Sequence, residues 1–206
     1  FTMLPNGFDP VDYPEIESMD TERFVIRYFG QWKDNQQVEA FFNALQELVQ
    51  HKRCPKLCLE TYGTCSQTIV QRLEEVSESL PVTIYPFVPK KEAVKLMMQS
   101  GILLMVIGRS KMAPHILSTK IFDYLYAERP ILGFGPPEGE AAKVLMQTGR
   151  GAMLSHENKD QAIAFIEKQY LQWEKGEMPK FDKKVDQYSF EKLTDKLIQV
   201  FENSLH

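Results

Sequence analysis

Six apolar residues in a row, Ile102-Leu103-Leu104-Met105-Val106-Ile107, form the longest uninterrupted apolar run in the chain. A strand with one face in water alternates apolar and polar residues. A run without alternation fits a strand covered on both faces, and such strands lie in the middle of parallel sheets. The run is also far short of the ~20 residues that span a bilayer as a helix. This segment therefore demands helices above and below it.

The flanking sequence supplies them. Phe24–Gly30 is β-branched and aromatic and ends in glycine, which predicts a strand and then a loop. Val38, Phe41, Phe42, Leu45, Leu48 and Val49 repeat at the spacing of one helix face. Lys56–Tyr62 reads as a strand closed by Gly63, and Ile69–Leu80 as a helix. Val82–Val88 is another strand and Lys90–Gln99 another helix. After the central strand, Ser118 is placed to cap a helix through Ala127. Pro130–Phe134, Glu138–Gln147, Gly151–Leu154 and Asp160–Trp173 continue as strand, helix, strand, helix. Lys175–Gln187 is polar, carries Pro179 and reads as a loop. Phe190–Leu205 closes the chain as an amphipathic helix within a 188–206 tail. Strands alternating with helices predict an α/β, doubly wound, Rossmann-like parallel sheet with helices on both faces. Ligands of such sheets bind beyond the carboxyl ends of the strands, at the switch point.

With 206 residues, 43% hydrophobic and 25% charged, the chain is expected to form one domain with a core that needs no disulfide or metal. The net charge of −4 gives no field for a polyanion, so nucleic acid is not an expected partner. A small phosphate ligand needs only two or three cations. Cys54, Cys58 and Cys65 are odd in number, which fits a reducing cytoplasm better than a disulfide framework. His51 would complete four zinc donors, but the paired C-x2-C spacing of zinc sites is missing, and no metal is expected. Met97, Met98 and Met105 read as core filler, and Trp173 as a helix anchor. No signal peptide is visible, and the start in the apolar segment Phe1-Thr2-Met3-Leu4 suggests a fragment of a longer protein.

Chemistry concentrates after the central strand. The loop Gly108–Leu117 leads into the helix start at Ser118, whose free amides and positive dipole end suit a phosphate. Arg109, Lys111 and Lys120 lie beside it, and Asp123 follows one turn later, able to accept hydrogen bonds from a ribose diol. The plain alternative is a set of solvated charges at a helix start.

Leu4-Pro5-Asn6-Gly7-Phe8-Asp9, Tyr28-Phe29-Gly30, Phe41-Phe42-Asn43-Ala44-Leu45, Tyr85-Pro86-Phe87-Val88-Pro89 and Ser118-Thr119-Lys120-Ile121-Phe122-Asp123-Tyr124 through Glu128-Arg129-Pro130-Ile131-Leu132 occur in this order. In order and spacing they resemble the C-terminal, donor-binding domain of GT-B glycosyltransferases, family 4 in particular. The resemblance runs from Asn6 to the C-terminus, ending in Tyr188-Ser189-Phe190 and its helix. It implies that Asp123 binds the donor ribose and that Ser118, Thr119 and Lys120 meet the diphosphate. It implies base contacts from Phe87 and Val88, with Gly30 at the donor site. The chain departs from the family pattern at three places. His115 stands where a second glutamate is common. Gln31 and Gln36 stand where an arginine and a further cation are common. Lys33, Lys120 and Arg109 are left as the cations that neutralise a diphosphate, with Lys33, Lys120 and His115 as the candidate catalytic groups.

The resemblance implies transfer of a sugar from a nucleoside-diphosphate sugar to an acceptor hydroxyl, with retention and without metal or other cofactor. The acceptor, a sugar or lipid-linked glycan, would be met by an N-terminal domain outside this chain. The setting implied is cytoplasmic, extending to the inner face of the membrane through peripheral contact. Two rival readings use the same architecture: a nucleotide-sugar 2-epimerase, and a non-catalytic nucleotide-binding or docking module.

Overall fold

The computed structural model describes residues 4–13, 18–177, 179, 181 and 184–204. The expected apolar start Phe1-Thr2-Met3 and the expected helix end Leu205 lie outside the described residues. Six strands form one parallel sheet: β1 (Phe24–Trp32), β2 (Leu57–Cys65), β3 (Val82–Tyr85), β4 (Ile102–Val106), β5 (Ile131–Phe134) and β6 (Gly151–Leu154). Their order is β3-β2-β1-β4-β5-β6. The chain builds outward from β1, returns to lay β4 on its other side, and builds outward again. The switch point is therefore the β1/β4 seam.

All five residues of β4 are buried. Alternation sends Ile102, Leu104 and Val106 into one core and Leu103 and Met105 into the other. The first core is covered by α1 (Glu39–Gln50), α2 (Gln67–Ser77) and α6 (Lys159–Glu174). The second is covered by α3 (Lys90–Met98), α4 (Lys120–Tyr126) and α5 (Glu140–Thr148), with Phe8, Tyr13 and Tyr188 packed at its rim. Met97, Met98 and Met105 fill this second core. Trp173 is buried on α6 and donates to the Asp20 carbonyl at 2.6 Å, which anchors that helix. Arg27 and Glu60, register partners in β1 and β2, form a buried ion pair at 2.7 Å.

Several element boundaries differ from the sequence reading. Gly30 and Gly63 do not end their strands. They are register partners with φ of +110° and +139°, and β1 and β2 run on together to Trp32 and Cys65. A Cβ on Gly63 would stand 2.2 Å from the Gly30 carbonyl oxygen, so glycine allows a backbone approach here rather than a stop. β3 stops at Tyr85 instead of Val88, because Pro86 has no amide for the ladder. α2 ends at Ser77, leaving Leu80 beyond it, and α1 begins after Val38. Ser118 does not cap α4. The Ser118 and Thr119 carbonyls accept from the Ile121 and Phe122 amides at 3.1 and 3.2 Å, so a tight turn satisfies amides that a hydroxyl would otherwise serve. α4 accordingly starts at Lys120, and α5 starts at Glu140 behind Gly139 rather than at Glu138. The loop at 175–187 carries a 3-10 turn, Lys184–Tyr188.

The last helix, α7 (Phe190–Ser204), buries Leu193 but leaves Phe190, Leu197, Ile198 and Phe201 exposed. Its expected apolar stripe is thus only partly covered by the described residues. Among the described residues no helix is long and apolar enough to cross a membrane.

Candidate functional site

The seam between β1 and β4 opens before either strand ends. Their paired residues are Ile26–Tyr28 against Ile102–Leu104, yet β1 continues to Trp32 and β4 to Val106. Tyr124 of α4 acts as the wedge. The Phe29 amide donates to its hydroxyl at 3.3 Å, and the hydroxyl donates to the Leu104 carbonyl at 3.2 Å. One side chain thus serves two backbone groups that the ladder no longer joins. Burial raises the Tyr124 pKa well above its ordinary value, so this hydroxyl stays protonated.

Lys120 sits one helical turn before Tyr124 and uses the same opening. Its ammonium donates to the Phe29 carbonyl at 2.6 Å and lies 4.2 Å from the ring centre of Tyr28, a residue of the opposite core. Burial lowers its pKa from 10.5 to about 8. Among the described residues the cation has no carboxylate partner, which favours any anion that reaches it.

A cleft of about 370 Å³ fills the opened seam. Gly30, Lys33, Ser118 and Lys120 line it, together with Gln31 and Gln36. Met105, Val106, Ile107 and Gly108 line it from the β4 side. Among the described residues no carboxylate lines it, and the charged groups there are two lysines. Gln36 braces the floor. Its amide nitrogen donates to the Val106 carbonyl at 2.9 Å, and its oxygen accepts the Lys33 amide at 2.9 Å. The side chain at a position expected to be cationic is therefore committed to joining the β1 loop to β4. Asn35 reinforces the joint: its carbonyl accepts the Arg109 amide at 2.9 Å, and a Cβ on Gly108 would stand 2.6 Å from its side chain.

A second half of the site lies across the glycine pair. A Cβ on Gly30 would stand 3.2 Å from the Lys120 ammonium, and one on Gly63 would stand 3.1 Å from the Phe87 ring. Phe87, Gly63, Gly30 and Lys120 thus form a continuous floor with an exposed aromatic ring at one end and a cation at the other. Asp123 is one turn from Lys120 on the same face of α4. Its Oδ1 accepts the Tyr13 hydroxyl, and the Lys90 ammonium lies 3.7 Å from the same oxygen.

The other predicted residues stand apart from the cleft. Arg109 is exposed and pairs with Glu157 at 2.7 Å. His115 is exposed on a 3-10 turn, Ala113–His115, and its neighbour Ile116 lines the cleft instead. Thr119 is exposed at the start of α4, Lys111 is exposed, and Val88 packs against the second core. Gly108 and Ser110 fall in the loop the sequence reading singled out, though it gave neither a role; it missed Asn35, Tyr13 and Lys90. The switch-point rule carried a signal for Asn35, because it applies to the loop after β1 as much as to the loop after β4. Cys54 and Cys58 are buried, and among the described residues no group of three or more His, Cys, Asp or Glu is placed to hold a metal.

No protein-family model and no curated protein sequence matches the chain. Solved structures do. WaaG, a glycosyltransferase involved in lipopolysaccharide biosynthesis, is 15% identical with a TM-score of 0.62, over 85% of this chain and 50% of that one. AviGT4, a glycosyltransferase involved in avilamycin A biosynthesis, is 13% identical with a TM-score of 0.61, over 98% and 58%. The pneumococcal O-GlcNAc transferase GtfA, solved with UDP and GlcNAc, is 13% identical with a TM-score of 0.60, over 93% and 38%. The chain spans 38% to 58% of the length of these three structures. At these identities the likeness is one of fold: this chain shares its parallel α/β fold with part of each of these glycosyltransferases.

Proposed function

We propose that this chain is the donor-binding domain of a glycosyltransferase that moves a sugar from a nucleoside-diphosphate sugar to an acceptor hydroxyl. The observation that carries the reading is the glycine floor between Phe87 and Lys120, continuous with a cleft at the switch point that Lys33 and Lys120 line. The base lies against Phe87, the diphosphate against Lys120 and Lys33, and the ribose at Asp123. As the bond from the anomeric carbon to the diphosphate breaks, negative charge grows on the leaving oxygens. Cations already in place stabilise that charge more than they stabilise the bound donor, which is how they accelerate transfer. Lysines that do this work predict transfer without added divalent metal, and the family resemblance predicts retained anomeric configuration. His115 does not line the cleft and takes no role in this scheme. The acceptor is a sugar or lipid-linked glycan presented by a second domain of a longer protein, so the 206 residues alone bind donor and transfer nothing.

The test is calorimetric titration of the chain with UDP, ADP and GDP. One nucleotide should bind, and Lys120→Ala and Asp123→Ala should each weaken it about tenfold or more, as expected for losing a charged hydrogen bond. Binding of none of the three, or binding that both variants leave intact, would overturn the reading. The commitment of the Gln36 side chain to bracing favours one alternative, a nucleotide-binding module without transferase activity. That alternative predicts the same titration and no sugar transfer by the longer protein.

A further inference from the structure

Asp123 is not an open carboxylate. Its Oδ1 already accepts the hydroxyl of Tyr13, a residue 110 positions earlier in the chain, and the Lys90 ammonium flanks the same oxygen at 3.7 Å. Tyr13 is fixed from several sides. Its ring stacks on Tyr126 at 4.2 Å between centres, meets the edge of Phe8 at 6.2 Å, and has the Lys90 ammonium 4.9 Å from its centre. It is 9% exposed. Phe8 is itself tied to the body of the domain, since its amide donates to the Tyr188 carbonyl at 3.1 Å. Among the described residues nothing bonds Oδ2 of Asp123.

A carboxylate clasps a vicinal diol by giving one oxygen to each hydroxyl. Here Oδ1 already accepts one hydrogen bond, and the Lys90 ammonium at 3.7 Å competes for its second lone pair. We infer that Tyr13 is a specificity-determining residue: by occupying Oδ1 of Asp123 it leaves Oδ2 to read a single ribose hydroxyl, so the site ignores the other. The inference rests on the reading of Asp123 as the ribose contact. Tyr13 also holds the carboxylate in one rotamer, which lets Oδ2 meet its hydroxyl without further ordering.

The experiment compares three ligands, the diphosphate that binds among UDP, ADP and GDP, and its 2′-deoxy and 3′-deoxy forms, on wild type, Tyr13→Phe and Asp123→Ala. In the wild type, one deoxy form should bind within about twofold of the ribonucleotide and the other about tenfold or more weaker, the cost of one charged hydrogen bond. Tyr13→Phe keeps the ring and its stack but frees Oδ1, so both deoxy forms should then bind about fivefold or more weaker than the ribonucleotide. Equal losses for both deoxy forms in the wild type, unchanged in Tyr13→Phe, would overturn the role of Tyr13 while leaving Asp123 as the ribose contact. An Asp123→Ala variant that binds the ribonucleotide like wild type would instead remove the ribose contact, and the inference would fall with it.

Discussion

Replacing Gly63 by alanine tests whether the glycine pair, and not the residues around it, shapes the floor of the site. Gly63 has φ of +139°, and an added Cβ would stand 2.2 Å from the Gly30 carbonyl oxygen and 2.8 Å from its carbon. Holding an L-residue in that backbone region costs about 1–3 kcal/mol. The overlap is with backbone in a paired strand, which cannot swing away like a side chain, and relieving it costs about 1–3 kcal/mol more. Together that is about 2–6 kcal/mol, a large share of the roughly 5–15 kcal/mol typical of a domain. In a chain of this size each kcal/mol lowers the melting temperature by about 2–4 °C, so a fall of roughly 5–20 °C is expected. Gly149→Ala is the control. Its φ of +65° carries the same kind of backbone strain, but nothing lies within 4 Å of the added Cβ. That change should cost only about 1–2 kcal/mol. Thermal unfolding of both variants, with urea unfolding to check that the slope is unchanged, makes the comparison. A Gly63→Ala melting point equal to or above that of Gly149→Ala would refute the close-approach argument.

Two further outcomes follow from the opened seam. Lys120 has a folded pKa of about 8 against an ordinary 10.5, so it loses its charge as pH rises through about 8. Diphosphate affinity should fall by about tenfold between pH 7 and 9, and Lys120→Met should abolish that fall. The sign for folding is opposite: between about pH 8 and 10.5 the unfolded chain holds the extra proton, so this group makes the fold more stable as pH rises. An identical pH slope of affinity in both proteins would refute the assignment. Tyr124→Phe deletes the hydroxyl that serves the Phe29 amide and the Leu104 carbonyl. Leaving both buried groups unmet should cost about 2–4 kcal/mol in urea unfolding, and a change under 1 kcal/mol would show that neither group depends on it.

Much of the architecture was legible because it depends on local periodicity. The apolar run at Ile102 required a strand covered on both faces, and the alternating helices supplied the cover. The glycines were misread for a reason that no local pattern reveals. Glycine after an apolar run commonly punctuates a strand, but Gly30 and Gly63 take positive φ because they face each other across a register fixed by the whole sheet. The site divides in the same way. Lys120 and Asp123 share a helix face by spacing alone. Tyr13 reaches Asp123 across 110 positions, and Gln36 reaches Val106 across 70, so neither partner is visible without the fold. Gln36 stood out in the sequence as a missing cation; its actual work, joining the loop after β1 to the end of β4, is a tertiary fact. Arg27 drew no reading of its own in the sequence; it is buried against Glu60, which only the β1/β2 register brings opposite it.

The early parting of β1 and β4 bears on how such a site can change over time. The opening exists because β1 and β4 stop pairing after Tyr28 and Leu104 while both strands run on. Lys33, Asn35 and Ser110 line it without taking part in that pairing. A lineage can therefore retune which molecule is held by exchanging such side chains while the opening persists. Losing the opening itself requires closing the strands, and that means evicting Tyr124 from between them.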